Sequence, residues 1–144
     1  METKALQRGR LIDHLQRVVR DLHASKRFYG ALCEVLGIPL GGEAPDFFWT
    51  DELFVSTATS RAASGKLTGR VHFGFQASSR EMVDEFHGAA IAAGGRDNGA
   101  PGERPYHRGY YAAYVLDPDG NNVEAVFHGP ATRSATSIVI EFDS

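Results

Sequence analysis

The chain has 144 residues, a mass of 15.7 kDa and a formal net charge of −3. Its 42% hydrophobic and 23% charged residues exclude a disordered tail, a collagen-like rod and a coiled coil. A chain of this length fits one domain and buries about two thirds of its unfolded surface, so it needs no disulfide or metal staple to fold. Cys33 is the single cysteine, which excludes an internal disulfide and a cysteine-rich zinc site. The opening METKALQRGR carries no apolar stretch of secretory length, and no window approaches the ~18–20 apolar residues of a membrane span. A cytoplasmic location with no membrane partner is therefore expected. The acidic balance argues against a nucleic-acid partner. Lys4, Arg8, Arg10, Arg17, Arg20, Lys26 and Arg27 are interleaved with Glu2, Asp13 and Asp21, and read as a solvated face.

In chain order, residues 11–19 read as a strand, imperfect at Asp13 and Arg17. Asp21 or Ser25 caps a helix whose apolar stripe is Phe28, Leu32, Val35 and Leu36. Gly37 suits a left-handed helix end, and Pro39 prevents resumption. Strands at 47–49 and 53–57 flank the turn Thr50-Asp51-Glu52. Residues 61–69 (RAASGKLTG) are small and polar and read as a connector. Residues 71–76 alternate strictly, with Val71, Phe73 and Phe75 on one face and His72, Gly74 and Gln76 on the other. Ser78 or Ser79 caps a second helix with the stripe Met82, Val83, Phe86, Ala90 and Ala93, ended by Gly94 and Gly95. Residues 96–106, with Asn98-Gly99 and Pro101-Gly102, read as a loop. Strands at 110–116 and 123–128 flank Asp117-Pro118-Asp119-Gly120-Asn121, a strong hairpin signal. Residues 138–142 form a further candidate edge strand.

The two halves match each other. A shift of 58 residues places His14 on His72, Phe28 on Phe86, Gly30 on Gly88, Ala31 on Ala89 and Gly37 on Gly95. Each copy runs from a strand opening with His, through a polar break and an amphipathic helix, to glycine. A duplicated unit of this kind brings its two strand-opening histidines toward a shared cleft. The apolar face of strand 71–76 packs under the helices, which leaves His72 on the free face. Glu124 lies within an apolar strand, where a carboxylate is costly to bury unless paired or bound to a cation. His14, His72 and Glu124 thus form a candidate two-His-one-carboxylate set suited to a divalent ion. Tyr106, His107, Tyr110, Tyr111 and Tyr114 cluster just before Glu124 and could manage protons or wall a substrate. Cys33, beside the first helix stripe, reads as a small core residue.

These residues bring the chain to a known family. DHLQRVVRDLHASKRFYGALCEVLGI, VHFGF and above all YYAAYVLDPDGNNVEAVFH resemble the vicinal-oxygen-chelate superfamily. That superfamily includes glyoxalase I, fosfomycin- and bleomycin-resistance proteins and extradiol dioxygenases. The resemblance covers about residues 10–130. It implies an α+β fold of two βαβββ modules, about 10–60 and 70–130, in a single domain whose mixed sheets curl around a cup. It also implies a homodimer.

By the same resemblance, His14, His72 and Glu124 are the metal ligands of one divalent ion, with Fe, Mn, Zn and Ni not distinguishable. Tyr110, Tyr111 and His107 are the catalytic candidates, and Phe47, Trp49 and Tyr114 the substrate-binding ones. Glyoxalase I has a fourth, usually carboxylate, ligand near the end of its first module, where this chain reads Phe54-Val55-Ser56. A three-ligand site is nearer the extradiol dioxygenases and thiol-transferase resistance enzymes. The expected function is a metal-dependent lyase, dioxygenase or transferase acting on a small oxygenated molecule, with the metal as Lewis acid and template. The competing expectation is a metal-free protein that sequesters a small molecule, as bleomycin-resistance proteins do, in a groove lined by Phe47, Trp49, Tyr110 and Tyr114.

Overall fold

A computed structural model describes residues 5–9, 12–60, 69–132, 135 and 137–141. The elements are β1 (Ala5–Arg8), β2 (Leu15–Val18), α1 (Leu22–Leu36), β3 (Gly42–Ala44), β4 (Phe47–Thr50), β5 (Leu53–Ser56), β6 (His72–Gln76), α2 (Arg80–Ala92), β7 (Arg96–Glu103), β8 (Tyr111–Leu116), β9 (Asn122–Phe127) and β10 (Ile138–Glu141). They form two four-stranded sheets of matching order, β2-β5-β4-β3 and β6-β9-β8-β7. In each, the first pair is parallel and the others antiparallel. Each sheet carries one helix, which makes two βαβββ modules, and the internal match in the sequence is the match between them. β1 and β10 pair antiparallel in a separate ribbon. Residues 61–68 of the expected connector, and Phe142 of the expected last strand, lie outside the described residues.

The helices begin and end where the side chains provide for their unpaired backbone groups. Asp21, in extended conformation, accepts the N–H of Ala24 at 3.0 Å and starts α1. Ser79 does the same for Met82 at the start of α2. Gly37 closes α1 with φ +72°, a conformation that costs glycine little. The matching left-handed glycine after α2 is Gly94, at +98°, one residue before the position the sequence match gives.

One core serves both modules. Phe28 and Leu32 of α1, Val83 and Phe86 of α2, and Val55, Val115, Val123 and Ala125 of the two sheets are fully buried in a single cluster. Full burial of each large apolar side chain is worth about 1.5–3 kcal/mol. Side-chain packing, rather than a strand ladder, joins the modules: among the described residues no ladder links β2 to β6. Cys33 is buried, as its place beside the stripe requires.

Two expectations change. Residues 96–103 are a strand, not a loop: β7 pairs with β8 through two register shifts, between Asp97 and Gly99 and between Gly99 and Gly102. Glycine and proline there are compatible with pairing because β7 is an edge strand and its irregularities absorb the missing donor. Arg17 does not belong to a solvated face. It is 1% exposed, because it lies on the helix-facing side of β2 and its guanidinium finds a carboxylate inside the protein.

Candidate functional site

The alternation of the second sheet sets the site. Val123 and Ala125 of β9 point to the core, which puts Asn122, Glu124 and Val126 on the opposite face. Glu124 sits between Gly74 of β6 and Tyr114 of β8 in register. A Cβ at Gly74 would make only ordinary contact with Glu124 Oε2, at 3.8 Å. The carboxylate leans toward His72, whose Nε2 is 3.0 Å from Oε2. Glu124 is 5% exposed, whereas half of the His72 side chain is open to solvent.

The other ring nitrogen of His72, Nδ1, stands 2.7 Å from the carbonyl oxygen of Asn122. A carbonyl only accepts, so Nδ1 carries the hydrogen and donates. In a neutral ring, Nε2 then presents a lone pair to the Glu124 carboxylate. Two acceptors at 3.0 Å need something between them, either a proton, carried by the ring or by the carboxylate, or a cation held by both. Tyr110, in the loop before β8, donates its hydroxyl to Glu124 Oε1. Burial, and then the bond to Glu124, push the Tyr110 phenol well above its usual range. It remains a protonated donor at neutral pH.

Other rings surround this pair. Tyr114 lies 6.3 Å from the His72 ring, under the Arg104 guanidinium at 5.3 Å. Burial, followed by the Glu124 charge, raises its phenol pKa. Tyr106 meets Tyr110 edge to face at 5.0 Å and is 70% exposed. His107 Nε2 is 2.8 Å from His128 Nδ1, and both rings stand edge-on to Tyr110.

The remaining expected site residues are elsewhere. His14 precedes β2, is more than half exposed, and its Nδ1 sits 2.6 Å from Asp13 Oδ1. Among the described residues, no three His, Cys, Asp or Glu side chains converge closely enough to hold a metal ion. Tyr111 points the other way, to the helical side. Its hydroxyl donates to Asp84 of α2 at 2.7 Å, and the Arg80 guanidinium covers its ring. Phe47 stacks on Phe54 at 4.9 Å. Trp49 lies against Gly41 and Gly42, where any Cβ would meet the indole. Sequence reasoning missed His128 and Asn122. The first is recognisable only by its partner in the fold, His107 of the segment before β8. The second, at the start of β9, acts through its backbone carbonyl, which no side-chain pattern marks.

A fold of two βαβββ modules defines a class that the comparisons identify. The Glyoxalase/Bleomycin resistance protein/Dioxygenase superfamily matches residues 11–125. The chain belongs to that superfamily. It is 33% identical over 137 residues to an uncharacterized protein of Pseudomonas aeruginosa, covering 90% of this chain and 96% of the relative. A glyoxalase/bleomycin resistance protein of Albidiferax ferrireducens superposes with a TM-score of 0.70 at 33% identity, over 81% of this chain and 98% of that one. The lactoylglutathione lyase of Agrobacterium tumefaciens shares the fold, with a TM-score of 0.58 at 23% identity, over 80% of this chain and 91% of that one.

Proposed function

We propose that the chain is a divalent-metal-dependent enzyme of the glyoxalase/dioxygenase type, acting on a small oxygenated molecule. The observation that carries this reading is the His72–Glu124 pair, in which a ring nitrogen freed by the Asn122 carbonyl faces a buried carboxylate. A backbone carbonyl on the far nitrogen is the usual partner of a metal-binding imidazole. Two of the three expected donors thus suit a divalent ion. The third, His14, is turned to Asp13, an exposed contact of the kind worth at most about 1 kcal/mol. His72 and Glu124 would hold the ion, with His14 joining them on release from Asp13.

Such an ion, when bound, supplies Lewis acidity toward substrate oxygens. Tyr110 keeps a proton at Glu124 and so orients the carboxylate. Tyr114 and Tyr106 offer flat faces beside it, and His107 with His128 adds a pair of imidazoles against Tyr110. A homodimer is part of the same proposal.

The test is titration of the purified chain with Ni²⁺ and Mn²⁺. One ion per chain is expected, with uptake abolished by His72→Ala and weakened by His14→Ala. The exposed Tyr106 ring favours a second reading, capture of an aromatic compound without metal. Ligand binding indifferent to chelator and to His72→Ala would establish that reading instead.

A further inference from the structure

The Asp117 carboxylate is divided between two tasks. Oδ1 accepts the backbone N–H groups of Asp119 at 2.9 Å and Asn121 at 2.8 Å, and the Asn121 amide at 3.1 Å. These bonds form the turn between β8 and β9. Oδ2 takes a longer contact from the same Asn121 amide, at 3.2 Å, and also reaches into the first module, where it accepts Arg17 Nη1 at 2.9 Å and the Tyr29 hydroxyl at 2.6 Å. A hairpin has no need of that second set. Arg17 and Asp117 are 1% and 3% exposed, so a charge pair from opposite modules is closed inside the protein.

The turn passes its position on to the site. Asn121, held by Asp117, accepts the N–H of Val71 on its Oδ1 at 2.9 Å. The next carbonyl, Asn122 O, takes the Nδ1 hydrogen of His72. The Arg17 guanidinium also lies 5.1 Å from the ring of Phe73, the residue after His72. A continuous set of short contacts therefore runs from β2 through Asp117 and Asn121 to the His72 ring.

Stability does not explain this arrangement. Buried ion pairs are often matched or bettered by packed apolar residues. Arg17 Nε and Nη2 find no partner among the described residues, which adds a desolvation cost. What a charged, hydrogen-bonded pair provides that an apolar contact does not is a fixed distance and direction. The two modules share no strand ladder among the described residues, so their relative register has to be set by side chains.

We propose that Arg17 and Asp117 are positioning residues, a buried inter-module pair that sets the register of the 117–122 turn and thereby the orientation of the His72 ring. The proposal rests on the reading of His72 as a site residue. It gives Arg17, Asp117 and Asn121 a role in the site although none of them faces it.

The test reads the ring directly, in ¹⁵N-labelled full-length chain with chelator present. In the unaltered protein, the His72 imidazole should show one tautomer with hydrogen on Nδ1, and Val71 one sharp amide signal. The double variant Arg17→Met/Asp117→Asn keeps the Oδ1 acceptor for the turn and removes both charges. It should unfold cooperatively, yet show mixed His72 tautomers, a displaced Val71 amide and about tenfold weaker Ni²⁺ binding. Among the described residues Arg17 uses only Nη1, so Arg17→Lys, which also offers one nitrogen, should retain the single tautomer.

Unaltered His72 and Val71 signals in a folded double variant would overturn the proposal. So would failure of both the double variant and Arg17→Lys to fold, since the pair would then serve the fold alone. The ring signals are recorded without metal. A chain that binds no Ni²⁺ but loses its tautomer order in the double variant defeats the metal reading and upholds the positioning role.

Discussion

Trp49 shows how a single residue depends on its neighbours having no side chains. Its indole rests on Gly41 and Gly42, and the Gly41 N–H donates to the Trp49 carbonyl at 2.8 Å. A Cβ on Gly41 would fall 2.3 Å from the ring, far inside contact distance, and the indole is held by its own strand. Gly41→Ala must therefore shift the ring or the β3–β4 pairing. Overpacking of this kind costs about 1–3 kcal/mol. Trp49 is the chain's single tryptophan, so its emission reports on the change. The expected result is a lower urea midpoint and a shifted emission maximum in the folded state. An unchanged midpoint would mean that the indole can leave the glycines freely, and its value as a fixed wall for a ligand would go with it.

At the scale of elements, the sequence was most legible where start and stop signals flanked a periodic pattern. α1 has Asp21 before it, Phe28 and Leu32 along it and Gly37 after it, and the helix occupies that interval. β6 followed from strict alternation, which also placed His72 on the helix-free face. β7 was illegible because Gly99, Pro101 and Gly102 contradict a strand locally, and only pairing with β8 overrides them. β1 and β3 were not foreseen because short strands gain their stability from partners distant in sequence. The same limit applies to the site. His72 and Glu124 could be found from strand pattern, but the pairing of His107 with His128 exists only through folding of the 104–110 segment against the end of β9. Arg17 was misread because a run of charges says nothing about which strand face a helix covers. The cap that was legible can be measured. Removing the Asp21 oxygen that receives the Ala24 N–H should cost about 1 kcal/mol. Asp21→Ala should lower the thermal midpoint while leaving the folded far-ultraviolet spectrum intact, and Asp21→Ser should recover most of the loss. Equal stability of all three chains would show that α1 is fixed by its buried face alone.

At the scale of the molecule, the Arg17–Asp117 contact makes the joining of the modules sensitive to acid. Burial pushes the Asp117 carboxyl up, but the hydrogen bonds from Tyr29 and the Asn121 backbone, together with Arg17, outweigh it and leave the group below the ordinary carboxylate range. A group whose pKa is lower folded than unfolded contributes stability above its unfolded value, about 3.9 for aspartate, and loses that contribution as pH falls through the folded one. Below that window both states bind the proton and the contribution is gone. Other carboxylates titrate nearby, among them Asp97, lowered first by its hydrogen bond from His87 and then by the Gly99 N–H. The informative quantity is therefore the difference between the unaltered chain and Asp117→Asn, which cancels the shared groups. Urea midpoints at a series of pH values should show the variant less stable at pH 7. The gap should hold down to about pH 5 and narrow as the pH falls below about 4, because the unaltered chain then approaches the neutral state the variant already has. A gap independent of pH would show that the carboxylate gains nothing from its charge in the fold, and the two modules would then be joined by their shared apolar core without an ionic lock.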